Sequence, residues 1–225
     1  MKRSEINRIL ADAEAFFDRH GQKLPPFAWW SMDDWRRNAV GRIVEARLGW
    51  DVTDYGRGDF ARWGLLLFTI RNGRLADLER GGGMVYAEKA MIVRDGQNTP
   101  LHRHPKKTED IINRGGATLA IRLFAMSPDG GIDRTARLTV ETDGIPRDVG
   151  PGDVVRLAPG ESITLVPGVW HGFWGEGGDV FVGEVSTVND DETDNVFAEP
   201  VARFPTIDED EPRRRRLVSD YGVPL

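Results

Sequence analysis

The sequence predicts an all-β barrel with a helical N-terminal extension. Three observations carry this. From residue 63 onward, short apolar or alternating runs recur at close intervals; the gaps between them hold Gly, Asn, Asp and Pro; and the first sixty residues show a helical period followed by clustered tryptophans. No internal repeat of roughly 20–50 residues is present, so a solenoid or propeller is not expected.

Residues 4–20 carry Ile6, Ile9, Leu10, Ala13, Phe16 and Phe17 at helical spacing, with Ser4 as the expected N-cap and Gly21 as the stop. That stripe should pack on the core or meet a second subunit. Pro25 and Pro26 break the chain, and Trp29, Trp30, Trp35, Trp50 and Trp63 follow. SMDDW at 31–35 reads as a second short helix, capped by Ser31 with acids in its first turn. The rings either fasten this segment to the barrel or, for one or two of them, offer a flat face to a sugar. Strands are expected at 63–70, 84–93, 117–125, 136–142, 153–158, 162–166 and 179–188, with turns between them, including GEGGD at 175–179. A single domain results, with a helical extension (1–62), a barrel core (63–188) and an acidic C-terminal wrap (189–225).

The 225 residues suffice for a real core. There is no cysteine, so any metal site must use nitrogen and oxygen ligands. Lack of cysteine fits a reducing compartment. The N-terminus has no signal-type apolar core and no run reaches membrane-span length, so no membrane partner and a cytoplasmic location are expected. A net charge of −6 argues against a nucleic-acid partner. The basic block at 213–216 directly follows an acidic run at 208–211, which reads as a self-pairing solvated segment. Dinucleotide, Walker and nucleophile-elbow motifs are absent.

The informative stretch is GQNTPLHRHPKKTEDIINRGG from Gly96. His102 and His104, two apart, face the same side of a strand, and Glu109 can return to that side. Gly115 and Gly116 permit a tight turn into the next strand. A further histidine, His171, follows the Pro167–Gly168 turn, whereas His20 closes the first helix. Imidazole and carboxylate suit one first-row divalent ion, with Mn²⁺ favoured and Zn²⁺, Co²⁺, Ni²⁺ or Fe²⁺ admissible. The spacing of Gly96, His102, His104, Glu109 and Gly116 matches the first cupin motif throughout. Gly160, Pro167, Gly168 and His171 match the second in part, with Gly175 where an asparagine is usual. The cupin fold, a double-stranded β-helix or jelly-roll barrel, is what this resemblance implies.

Longer runs narrow the resemblance. YAEKAMIV (86–93), TEDIINRGG (108–116), PGVWHGFW (167–174), GEVSTVNDDETDN (183–195) and the ARFP-acidic segment (202–211) resemble the D-lyxose isomerase family over nearly the whole chain. The resemblance implies a metal-dependent aldose–ketose isomerase that interconverts D-lyxose and D-xylulose, and D-mannose and D-fructose. Such chemistry needs an acid and a base beside the metal. Lys89 falls where the family has an active-site lysine. A lysine among apolar residues suits proton exchange, the alternative being a snorkelling surface lysine. Glu184 on its β-branched strand and Glu199 are the carboxylate candidates, either of which can partner Lys89. Asp190, Asp191 and Trp174 are the candidate substrate-binding residues, the two acids being otherwise solvated loop acids. Lys106 and Lys107 are expected to face solvent. The rivals are an Fe(II) cupin dioxygenase, a sugar-binding cupin without catalysis, and a phosphosugar isomerase, for which no arginine cluster stands beside the ligands. A homodimer is expected, with apolar surface supplied by the helical N-terminus.

Overall fold

The computed structural model describes residues 1–224. Five helices occur: α1 (Arg3–Arg19), α2 (Met32–Arg37), α3 (Gly41–Glu45), α4 (Phe60–Trp63) and α5 (Leu75–Glu79). The strands are β1 (Gly49–Thr53), β2 (Leu65–Asn72), β3 (Tyr86–Val93), β4 (His102–Arg103), β5 (Glu109–Met126), β6 (Ile132–Asp133), β7 (Leu138–Thr142), β8 (Ile145–Val149), β9 (Val154–Leu157), β10 (Ser162–Leu165), β11 (Trp170–Thr187) and β12 (Val196–Phe197). They form one antiparallel sheet in the order β1-β2-β3-β11-β5-β10-β7-β8, with β9 on β5 and β4 bridging β11 and β12. This is the all-β barrel expected from the alternating runs. No helix among the described residues is long and apolar enough to cross a membrane.

Strand alternation separates two cores. On β2, Leu65 and Leu67 point into the barrel, while Leu66 and Phe68 point outward under α1. On β3, Met91 and Val93 point inward and Ala90 and Ile92 outward. The outward set meets Ile6, Leu10, Ala13 and Phe17 of α1, all fully buried. Each such side chain contributes roughly 1.5–3 kcal/mol by leaving water. The apolar stripe of α1 is therefore used within the chain, the first of the two uses expected for it.

The N-terminus of α1 also differs from expectation. Its N-cap is Lys2, with no side-chain cap. Ser4 lies inside the first turn, and its backbone N–H and hydroxyl both donate to Asp210, at 2.9 and 2.7 Å. The acidic segment thus caps the helix from outside, and a carboxylate there also suits the positive end of the helix dipole. Only part of the basic block pairs with that acidic run. Arg213 meets Glu209, but Arg214 and Arg215 both hold Glu14 of α1. Ser31 does cap α2, in a reciprocal capping box with Asp34.

Two strands are longer than the alternation suggested, and β1 lies in the stretch expected to be helical. Residues 117–125 are the second half of β5, and 179–188 largely the second half of β11. The expected turns at Gly115–Gly116 and at 175–179 are bulges inside these strands, marked by register shifts between them. The glycines answer to close backbone approach rather than chain reversal. A Cβ on Gly116 would lie 2.3 Å from the Asp179 carbonyl oxygen, and one on Gly175 would lie 2.7 Å from that of Gly178. No asparagine fits at 175.

Candidate active site

The bulge in β11 has a consequence for the site. Before it, His171 and Phe173 face the barrel interior; after it, Val180, Val182 and Glu184 do. Inward-facing positions change from odd to even across residues 175–179. One strand thereby carries Glu184 into the cavity and His171 against Glu109 at its edge.

That cavity has a volume of about 50 Å³ and a divided lining. Leu65, Leu67, Met91, Ile111 and Phe173 form an apolar wall. The polar lining is His102, His104, Lys89, Lys107, Glu109, Glu184, Asp191 and Arg203. His102 comes from β4 and pairs in register with His171 of β11. His104 follows β4, and Glu109 opens β5.

Each imidazole is oriented by a backbone carbonyl. His102 Nδ1 donates to Pro100 at 2.9 Å, His104 Nδ1 to Asp194 at 2.6 Å and His171 Nδ1 to Val169 at 3.0 Å. A carbonyl only accepts, so Nδ1 carries the hydrogen and Nε2 presents its lone pair. The three rings have ligand atoms within 4.8 Å of one another. This group could hold a metal ion. Glu109 Oε1 lies 3.0 Å from His171 Nε2 and 3.5 Å from His104 Nε2. Yet Glu109 Oε1 and His171 Nε2 are buried without a hydrogen-bond partner of sound geometry. Two acceptors facing each other in a dry site call for a shared cation.

The charges beside them form a ladder. Lys107 Nζ meets Glu109 Oε2 at 2.6 Å and Glu184 Oε1 at 3.0 Å; Lys89 Nζ meets Glu184 Oε1 at 3.0 Å and donates to Asn189 Oδ1 at 2.6 Å. Arg203 lies 2.6 Å from Asp51 Oδ2 and 3.4 Å from Asp191 Oδ1. Three cations thus face four carboxylates, an excess of negative charge that also favours a metal cation.

These contacts outweigh burial. Burial alone would raise the Glu109 carboxyl, but the Lys107 ammonium holds it well below the usual carboxylate range. Lys107 and Lys89 do the same for Glu184, and Arg203 does so for Asp191. Burial would lower Lys107, but Glu109 and Glu184 keep it raised. His102 is pushed well below its usual value by burial and then by His171 and His104. It is therefore a neutral ring at pH 7.

Of the residues singled out in the sequence, His102, His104, Glu109, Lys89, Glu184 and Asp191 line this cavity, and His171 adjoins it through Glu109. Three do not. Asp190 is turned to Glu192 and Thr193, which its carboxylate caps. Glu199 is exposed and pairs with Arg57 outside the barrel. Trp174 is on the outer face of β11, because its neighbours His171 and Phe173 occupy the inward positions there. Lys107, expected in solvent, is only 3% exposed. The sequence reading also passed over Asn189, Arg203, Asp51 and Asp194. Asp194 fastens the loop after His104 by accepting the backbone N–H groups of Lys106 and Lys107.

A sequence-family model described as D-lyxose isomerase matches residues 1–221. D-lyxose/D-mannose isomerase of Serratia proteamaculans is 47% identical over 226 residues, covering 98% of each chain. Its namesake from Escherichia coli O157:H7 is 47% identical over 228 residues with the same coverage. The chain belongs to the D-lyxose isomerase family. It is accordingly an aldose–ketose isomerase, as the long runs in its sequence implied. Among solved structures, L-ribose isomerase of Cellulomonas parahominis shares the fold with a TM-score of 0.62 at 15% identity, over 92% of this chain and 98% of that one. L-ribose isomerase of Geodermatophilus obscurus gives 0.61 at 16% identity with the same coverage.

Proposed function

We propose that this member of the family is a metal-dependent isomerase of free sugars, interconverting D-lyxose with D-xylulose and D-mannose with D-fructose. The carrying observation is the Lys89–Glu184 pair, 3.0 Å apart, in the cavity lined by His102 and His104 of the three-histidine group. His102, His104, His171 and Glu109 would hold one divalent ion, Mn²⁺ in preference to Zn²⁺, Co²⁺, Ni²⁺ or Fe²⁺. When bound, the ion polarises the sugar carbonyl and acidifies the adjacent C–H.

Glu184 is ionised at neutral pH and can accept a proton. We assign it the transfer of the proton from C2 to C1 of the aldose. Its ammonium neighbours limit its basicity, so the acidified C–H is needed for transfer to proceed. Lys89 serves the oxygens, giving a proton to O1 as O2 loses one, so that the sugar gains and loses none overall. Lys107 positions both Glu184 and Glu109. Asp191 and Arg203 lie across the cavity where the sugar hydroxyls would reach. The polar wall suits a polyol, and the apolar wall excludes water from the reacting carbons. The reading includes association as a homodimer and residence in the cytoplasm.

The test is ketose formation from D-lyxose, D-mannose, D-xylose and D-ribose by protein loaded with Mn²⁺. Ketose is expected from D-lyxose and D-mannose, lost after EDTA and restored by Mn²⁺, with equal rates under nitrogen. No product from any sugar, turnover that survives complete metal removal, or turnover that requires O₂ would reject the proposal.

A further inference from the structure

A second cavity, of about 390 Å³, opens on the outside of the barrel beside Trp63, Trp174, Arg57, Arg122 and Arg134. Its volume falls in the range of small-molecule sites, about 300–1,000 Å³. Arg57 is taken by Glu199 at 2.9 Å. Arg122 and Arg134 have no such partner: among the described residues neither forms an ion pair or a side-chain hydrogen bond. They are held over aromatic faces instead, Arg122 at 5.2 Å from the Trp174 ring and Arg134 at 5.5 Å from the Phe124 ring. A guanidinium beside an aromatic face, unpaired with any carboxylate, keeps its N–H donors free for an anion. Two such forks at one groove, on a chain of net charge −6, mark a place built for an anion.

We propose that this groove binds the phosphate of a small phosphorylated sugar, with Arg122 and Arg134 on the phosphate oxygens and the indole wall against the sugar ring. The ligand is not a substrate there, because the arginines lie outside the barrel, away from the three histidines. It would nonetheless touch the segment that orients one of them. Thr99 lines both cavities, and Pro100, which accepts from His102 Nδ1, lines the groove. Leu101 accepts from the backbone N–H of Ala198, which also lines the groove. Phosphosugar binding without phosphosugar turnover follows from this separation, and the inference does not depend on the sugar proposed for the barrel.

Isothermal titration of the full chain with D-mannose 6-phosphate, inorganic phosphate and D-mannose tests it. D-mannose 6-phosphate is expected to bind saturably, at least about tenfold tighter than inorganic phosphate, and to be competed by it. The double variant Arg122→Gln/Arg134→Gln should weaken D-mannose 6-phosphate by at least about tenfold while leaving binding of D-mannose unchanged. Three results would overturn the proposal: no saturable binding below about 10 mM, equal binding by the variant, or inorganic phosphate binding as tightly as the sugar phosphate. So would a dimer that dissociates in the variant, since the groove would then be covered by a second copy. Both arginines lie at an open groove. Should the variant still fail to fold, the wild-type titrations decide.

Discussion

Arg3 and Lys107 are both buried cations held by two carboxylates, yet one cluster is closed and the other open. Arg3, 0% exposed, spends its guanidinium on Glu209 and Asp220 through four hydrogen bonds of 2.8–3.3 Å. Glu209 and Asp220 also line a surface groove, but no buried polar atom of this cluster lacks a partner. Lys107 joins Glu109 to Glu184, but its cluster lines a cavity and leaves Glu109 Oε1 and the adjacent His171 Nε2 without partners. The difference teaches that a buried ion pair alone does not mark a site. What marks it is unsatisfied capacity turned toward empty space.

Substitutions should separate the two clusters. The largest expected effect is on turnover in the open one. Glu184→Gln keeps the shape and removes the base, and kcat should fall by about 10²–10⁴-fold. Steady-state assays on folded, metal-loaded protein measure this, and a loss below about tenfold would withdraw Glu184 from proton transfer. The closed cluster should respond in stability. Arg3→Ala strands the buried Asp220 carboxylate, at a cost of about 3–5 kcal/mol, or roughly 6–20 °C in Tm for a chain of this size. Well below that Tm its kcat should stay within about twofold of wild type. Calorimetry and assays at low temperature check both halves.

The smallest effect concerns pH. Asp191 and Glu184 are held below the ordinary carboxylate range, so the folded chain keeps them ionised where the unfolded chain takes up protons, near pH 4. Their contribution is complete above that pH and is lost as pH falls, at up to about 1.4 kcal/mol per unit for each group. Glu209, held low mainly by its hydrogen bond to Arg3, acts in the same direction but more weakly, since its side chain is 43% exposed. Urea midpoints between pH 6 and 3 should fall on the acid side, and less steeply in Asp191→Asn. A midpoint that does not move with pH would contradict the ladder of charges.

Much of the barrel and half of the site were legible as alternation. Lys89 had to oppose Glu88, and in the structure Lys89 faces the cavity while Glu88 pairs with Arg71 outside. The histidine spacing likewise anticipated convergence. Lys107 reads as solvated because it follows another lysine, although it stands two residues before Glu109, the spacing of a shared face. Trp174 was misplaced for want of strand parity. GEGGD read as a turn, whereas it is a bulge that reverses which residues face inward. Asp51, Asp194 and Arg203 join the site only through long-range packing, which no local pattern records.

The pairing of the chain's first helix with its last acidic segment also has a consequence in time. Arg3 donates its backbone N–H to Asp208 and its side chain to Glu209, some 205 residues later. At about 5–20 residues per second, a ribosome needs roughly 10–40 s to supply those partners. Until then the helix has neither its cap nor the neutralising carboxylates for Arg3, and its apolar stripe waits for sheet strands that are themselves incomplete. The nascent helix is therefore exposed to chaperones and aggregation until residues 208–209 have been made, and only then can this latch close.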